Sequence, residues 1–346
     1  MERSEATIRG AFELGDAGTL TTISAWSKTW VKNSLDADRA STGPNGIFLR
    51  YALTQPEIQY SQEISFASRK MGKFSFVAGA YYYYNDNKTA PGAISLSKNP
   101  AARLYLNGIN QQLAYAGFAE ANYDITERLT VIAGIRYSWE RRANKGRFAV
   151  GVPSHDPMPY APGPAISFDA WTPRFSLKYR VTDETNVYFT YSQGFKSGGV
   201  QSSGYNTPRS LWSTQVYQPE KVKAYEIGVK STPLPNLSFN AAAYYYDYKD
   251  LQVQVVTQTG VSTTLNAATA RIYGLDADAT WRATPELTFT GGLALLDAKY
   301  KDFPNAVVLR PKPPLPGIGL NGNFATNAAN GYPVGCCIPT IERRRF

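Results

Sequence analysis

Residues 186–231 constrain the fold most, because their pattern predicts two strands joined by a long polar loop. Apolar side chains occupy every second position of each strand: Val187, Phe189 and Tyr191 in the first, and Tyr225, Ile227 and Val229 in the second. This two-residue period puts one set of side chains on each face of a sheet. The pattern predicts an antiparallel pair with one apolar face and one polar face.

Twelve segments of this kind follow one another along the chain, and their connections alternate between short and long. They are residues 6–14, 19–29, 59–68, 74–85, 113–125, 129–141, 171–181, 186–195, 221–231, 237–255, 264–282 and 287–299. The short connections contain turn formers, as in GDAG, TDET and TPE. We therefore expect every short turn at one edge of the sheet and every long loop at the other.

Residues 129–141 indicate what each face of the sheet contacts. The odd positions are apolar or aromatic: Leu129, Val131, Ala133, Ile135, Tyr137 and Trp139. The even positions include Arg136 and Glu140, and a later strand places Asp276, Asp278 and Arg282 on the corresponding face. Charged groups are costly in a dry core. The inner face is therefore predicted to be wet, with the apolar face turned to lipid.

Composition is compatible with a membrane protein that crosses by strands. Mean hydropathy is −0.33, and no run of 18 apolar residues exists, so no transmembrane helix is predicted. Strands escape this test, because only alternate residues face lipid. The 24 tyrosines suit aromatic girdles at the membrane interfaces, although a tyrosine-rich soluble β protein has a similar composition.

The motif SQGFKSGG, followed by QPEKVKAYEIGVKS, resembles the barrel domain of TonB-dependent outer-membrane receptors. The resemblance is close over residues 188–199 and 218–231 and looser over 244–255 and 266–300. It implies an all-β fold, an antiparallel transmembrane β-barrel of which about 12 strands are present, with short periplasmic turns and long extracellular loops. It also implies a Gram-negative outer-membrane location in contact with lipid. The implied function is uptake of a scarce nutrient such as a ferric siderophore, cobalamin or a carbohydrate.

Two segments are expected along the chain. Residues 1–305 are predicted to be a partial receptor barrel, and residues 306–346 a Pro/Gly-rich irregular tail from a truncation or frameshift. The N-terminus shows no signal peptide. Neither a plug domain nor a TonB-contacting segment is recognised. We therefore expect a fragment of a longer receptor, in which the TonB complex acts only through a plug absent from this chain.

Ligand contacts are expected from aromatic and basic residues of the long loops: Tyr160, Tyr205, Arg209 and Trp212. No catalytic set, metal site or cofactor site is predicted, and His155 is interpreted as a solvated loop residue. Asp276 and Asp278 are compatible with a cation or with ion pairs to neighbouring strands. The scattered basic clusters do not indicate a nucleic-acid partner.

Two other interpretations remain open. A complete twelve-stranded outer-membrane pore or enzyme requires an export signal and a closing C-terminal strand. A soluble β-rich binding module requires mixed loop lengths and an inner face free of charge.

Overall fold

A computed structural model shows one large antiparallel sheet and describes residues 1–36, 50–95, 103–150, 161–200, 216–256, 262–311 and 337–345. Its strands, numbered in chain order, are β1 Glu2–Glu13, β2 Gly18–Asp36, β3 Arg50–Ser68, β4 Phe74–Ser95, β5 Arg103–Asp124, β6 Leu129–Val150, β7 Ala161–Arg180, β8 Thr185–Lys196, β9 Gly199–Val200, β10 Val216–Tyr217, β11 Glu220–Leu234, β12 Leu237–Val256, β13 Ser262–Arg282, β14 Thr288–Pro311 and β15 Cys337–Arg345.

Each strand of the main sheet pairs with its neighbours in the sequence. The order runs from β1 to β8, then from β11 to β15, while β9 and β10 form a separate two-stranded sheet. Because all pairs are antiparallel, the short turns share one edge and the long connections share the other. We call these the turn edge and the loop edge.

All twelve predicted strands are present, and most extend further towards the loop edge than the alternation indicates. For example, β6 continues nine residues past 141, through Val150. The irregular segment predicted from residue 306 differs from the structure at two places: β14 continues to Pro311, and β15 pairs with it over Cys337–Arg345. The backbone there continues the ladder despite its proline content.

Threonine begins three of the short turns, and its hydroxyl closes them. The Oγ1 atoms of Thr126, Thr182 and Thr284 each accept a hydrogen bond from a backbone N–H two residues on, at 3.2, 3.2 and 3.3 Å. Such local bonds give the backbone a turn in place of a ladder. The TER, TDET and TPE sequences therefore reverse the chain.

An ion pair also links two neighbouring hairpins at the turn edge. Lys70 Nζ lies 2.5 Å from Asp124 Oδ2, and Thr130 Oγ1 donates to Asp124 Oδ1 at 2.7 Å. The hydrogen bond from Lys70, supported by that from Thr130, holds the pKa of the Asp124 carboxyl below its usual value. The turn between β3 and β4 is thus fastened to the neighbouring hairpin.

One face of the sheet carries rows of aromatic side chains in contact across strands. Near the middle of the strands, ring centroids are 5.4 Å apart for Tyr82 and Tyr115, and 5.9 Å apart for Tyr115 and Trp139. At the turn edge, Trp281 stacks on Phe289 at 5.7 Å. These two rows border a band of aliphatic residues, as predicted from the alternation.

This apolar face is open to its surroundings. Trp171 is 62% exposed and Ile227 is 61% exposed, whereas the buried hydrophobic residues of the described chain are the alanines Ala116, Ala268 and Ala270. A face of this size is unfavourable in water. Among the residues placed by the structure, no helix is long and apolar enough to cross a membrane.

Candidate functional site

On the polar face of the sheet, Arg136 lies in a cluster with aromatic side chains. Its guanidinium lies over the rings of Tyr81 and Phe118, at 5.7 and 5.8 Å from the centroids, and its Nε donates to Ser138 Oγ at 3.0 Å. Arginine on an aromatic face is stabilised by the ring quadrupole. The alternation on β6 predicted this inward position for Arg136.

Next to this cluster, Glu140 receives two hydrogen bonds. Gln112 Nε2 donates to Glu140 Oε2 at 3.1 Å, and Arg142 Nη2 lies 3.4 Å from the same oxygen. Gln112 and Glu140 line a depression of about 290 Å³ together with Tyr83, Arg136 and Ser138. The depression offers both charges and hydroxyl groups to a polar molecule.

A second ion pair lies between strands that do not neighbour each other. Arg174 Nη1 on β7 is 3.0 Å from Glu120 Oε2 on β5, and Gly134 on β6 stands in register between them. Both side chains remain partly exposed. The polar face is therefore lined by charge pairs that solvent can reach.

Further along the sheet, Tyr188 contacts two charged residues of the polar face. Its hydroxyl donates to Glu226 Oε1 at 2.7 Å, and Lys230 Nζ lies 5.9 Å from the ring centroid. The ring lies over Gly228, where an added Cβ would be only 2.6 Å from Tyr188 Cζ. A glycine is therefore needed opposite this tyrosine.

A depression of about 450 Å³ adjoins Tyr188 and Lys230, with Asp276 and Asp278 on its wall. Asp278 Oδ2 accepts a hydrogen bond from Asn240 Nδ2 at 2.9 Å. The structure therefore pairs Asp278 with an amide and not with a neighbouring Arg or Lys. Within the described ranges, no group of three His, Cys, Asp or Glu residues is placed to hold a metal ion.

At the loop edge, two amide side chains fasten the start of β11. Asn266 Nδ2 donates to Gln218 O at 2.7 Å and to Asp250 O at 2.8 Å, while its Oδ1 accepts from Gln218 N at 2.6 Å. Gln252 Nε2 donates to Ser197 O at 2.9 Å and to Gln218 O at 3.1 Å. We call Gln252 and Asn266 the amide clamp.

Close packing in the same region accounts for the two adjacent glycines of the SQGFKSGG motif. β9 and β10 pair at the base of residues 201–215, joining Gly199 to Tyr217. Gly198 lies against the Phe168 ring, with Cε2 only 2.8 Å from where a Cβ would stand, and Gly199 lies similarly against the Tyr217 ring. Side chains larger than hydrogen would displace these rings.

The four residues predicted to contact ligand lie outside the described residues. These are Tyr160, Tyr205, Arg209 and Trp212, and His155 lies outside as well. The structure does describe the strands from which their loops start. Alternation along the strands gives no sign of the amide clamp, although Asn266 and Gln218 both lie in motifs that carry the family resemblance.

The fold and its polar face define a class of protein: a long antiparallel sheet, apolar on one face and charged on the other, of the kind that forms outer-membrane barrels. The chain belongs to the family of TonB dependent receptor-like beta-barrels, whose family model matches residues 2–333. The fold class and family predicted from the motifs are confirmed. This family is one of transport receptors.

Two curated relatives show the level of sequence similarity. The pesticin receptor of Yersinia enterocolitica is 26% identical over 174 residues, which cover 49% of this chain and 24% of that receptor. The rhizobactin receptor of Rhizobium meliloti is 27% identical over 186 residues, which cover 47% of this chain and 24% of that receptor. The chain thus matches about a quarter of the length of these relatives.

Solved structures show the same fold. The ferric yersiniabactin uptake receptor FyuA from Yersinia pestis superposes with a TM-score of 0.70 at 20% identity, covering 86% of this chain and 42% of that one. The copper transporter OprC superposes with a TM-score of 0.65 at 14% identity, covering 86% of this chain and 46% of that one. The similarity spans nearly the whole chain and less than half of each solved receptor.

Proposed function

We propose that the protein forms part of the barrel of a Gram-negative outer-membrane receptor for uptake of a ferric siderophore. The observation that carries this proposal is the family match over residues 2–333. The similarity of the fold to the solved ferric yersiniabactin uptake receptor supports a ferric chelate as the cargo. Iron enters as substrate within its chelate, so no resident metal or cofactor is part of the proposal.

The proposed ligand contacts are Tyr160, Tyr205, Arg209 and Trp212. Tyr205, Arg209 and Trp212 lie in the sequence between β9 and β10, which pair with each other close to the amide clamp. Aromatic surface and a few fixed polar groups give a pocket its specificity. A guanidinium such as that of Arg209 suits the carboxylate or phenolate oxygens of a chelate.

Energy for uptake is proposed to come from TonB, acting through a plug domain. A barrel wide enough to pass a chelate needs a plug to keep the membrane sealed. The charged polar face, with pairs such as Arg174–Glu120, offers solvated contacts to a moving partner. The proposed occupants of the two faces are therefore lipid outside, and the plug and cargo inside.

The test is ⁵⁵Fe uptake by iron-starved cells of the source bacterium, with the probe supplied as ferric yersiniabactin and separately as ferric citrate. Interrupting the gene between β8 and β11 is expected to abolish uptake of the cognate chelate, and the intact gene in trans to restore it. Arg209→Ala is expected to weaken chelate binding about tenfold or more, since a charge-assisted contact is lost. Its control is Arg128→Ala at the turn edge, which leaves binding unchanged. Uptake of both chelates at the normal rate without the gene would contradict the proposal.

A further inference from the structure

The apolar face becomes cationic immediately beyond its loop-side tyrosines. Tyr225, Tyr245 and Tyr273 are register partners on β11, β12 and β13. The next positions on this face, towards the loop edge, carry a set of basic residues that we call the basic patch: Lys221, Lys223, Lys249, Arg271, Lys299 and Lys301. The guanidinium of Arg271 lies 5.8 Å from the Tyr273 ring centroid, which fixes its side of the sheet.

Carboxylates neutralise only part of this patch. Lys301 Nζ lies 2.6 Å from Asp247 Oδ1, and Lys299 Nζ lies 3.0 Å from Asp297 Oδ2. For Lys221, Lys223 and Lys249, no described carboxylate lies within ion-pair distance. The patch therefore keeps a net positive charge.

The register places like charges directly opposite each other. Lys221 pairs with Lys249 across the β11–β12 ladder, whereas Lys223, two residues further along on the same face, is opposite Asp247. Like charges in directly opposed positions destabilise a sheet. An anion bound between the ammonium groups would convert this repulsion into attraction.

The position of the patch indicates the kind of anion. Tyrosine rings of this sort lie at the level of lipid headgroups, and lysine stems can run along apolar surface while the ammonium group stays in water. Below the tyrosines, the same strands carry Ile227, Leu275 and Leu295, which are all exposed. A ligand with a phosphate above and acyl chains below matches both parts of this surface.

We propose that the basic patch binds the phosphate of an anionic lipid headgroup, with the acyl chains lying on the aliphatic residues below the tyrosine row. This inference rests on the membrane-spanning barrel of the proposed function, and it is independent of which chelate the receptor carries. The site is on the outer surface of the sheet, opposite the face that serves uptake.

The test uses the full purified chain folded in dodecyl maltoside micelles, with calorimetric titration of short-chain phosphatidic acid, short-chain phosphatidylcholine and inorganic phosphate as separate probes. The variant combines Lys221→Gln, Lys223→Gln and Lys249→Gln. Each basic residue near an anionic lipid contributes a similar amount of binding free energy. The three changes together are therefore expected to weaken phosphatidic acid binding about 100-fold. Raising the salt concentration is expected to weaken wild-type binding as well.

The control variant carries the same change in charge away from the patch: Lys73→Gln, Arg128→Gln and Lys178→Gln. It is expected to bind phosphatidic acid as the wild type does. Equal binding by the patch variant and the wild type would overturn the inference, and so would equal affinity for phosphatidylcholine or for inorganic phosphate. Gel mobility that changes on heating checks the fold, and its loss in the wild type would contradict the barrel itself. Normal lipid binding with no chelate uptake would contradict only the proposed function.

Discussion

Arg174 and Glu120 form an ion pair of 3.0 Å across a strand to which neither belongs. The pair passes over Gly134, where an added Cβ would lie 3.3 Å from Glu120 Oε2. The glycine thus leaves the space through which two charged side chains meet. Similar glycines opposite tyrosines, such as Gly228 under Tyr188, show that the polar face is fitted around its large side chains.

The Arg174–Glu120 pair is expected to contribute little to stability. The side chains are 51% and 35% exposed, so water and salt screen the attraction. A double-mutant cycle with Arg174→Met and Glu120→Gln, measured by urea unfolding in lipid vesicles, should give a coupling energy below about 1 kcal/mol. A coupling of several kcal/mol that persists in high salt would show that this face is dry.

Gly274→Ala is expected to destabilise the fold. Its Cβ would lie 2.7 Å from Tyr244 Cζ and against the backbone oxygen of Leu295, and backbone cannot give way easily. Overpacking of this kind costs roughly 1–3 kcal/mol. Gly291→Ala is the control, because nothing lies within 4 Å of its added Cβ. Equal urea midpoints for the two variants would contradict the tight packing at Gly274.

Adjacent lysine substitutions on β13 should separate the two faces. Leu275→Lys puts a charge on the apolar face, at an expected cost of roughly 2–4 kcal/mol near the middle of a bilayer. Asp276→Lys places the same residue on the polar face, where water solvates it, and should fold into vesicles at nearly the wild-type yield. The measurement is the folded fraction by gel shift. Equal yields for the two variants would refute the assignment of this face to lipid.

Asn266→Asp is expected to loosen the loop edge. The substitution sets a carboxylate against the carbonyl oxygens of Gln218 and Asp250 and removes both donated bonds. Leaving such groups unsatisfied costs about 1–3 kcal/mol, so amide hydrogen exchange of residues 216–220 should accelerate about tenfold. The control is Asn236→Asp at the turn edge, where the lost bond is to Arg282 O. That variant should leave exchange at residues 216–220 unchanged.

Asp124 should make stability depend on pH in the acid range. Its hydrogen bond with Lys70 lowers the folded pKa of the carboxyl below the unfolded value. The stabilisation is therefore complete above the unfolded pKa and is lost as the pH falls through the folded one. Lys70→Met should reduce the drop in urea midpoint between pH 7 and acid. A variant that kept the whole drop would show that other groups cause it.

The strands and their two faces could be predicted from the sequence, because a two-residue period fixes which side chains share a face. Arg136 and Glu140 lie on the polar face, and Tyr137 and Trp139 contact aromatic partners on the other, as the alternation predicts. The positions of the short turns could be predicted from sequences such as TDET and TPE, because a threonine hydroxyl closes each of these turns locally. The predicted ligand contacts stay predictions.

Sequence by itself therefore determined the local elements, their order and their faces, all of which depend on residues close together in the chain. Tertiary structure alone decided the pairings over long separations. Asn266 holds Gln218 from 48 residues away, and Glu120 meets Arg174 across 54. Such contacts depend on strand register and on where a glycine leaves room. Periodicity along one strand carries no information about its partner's register.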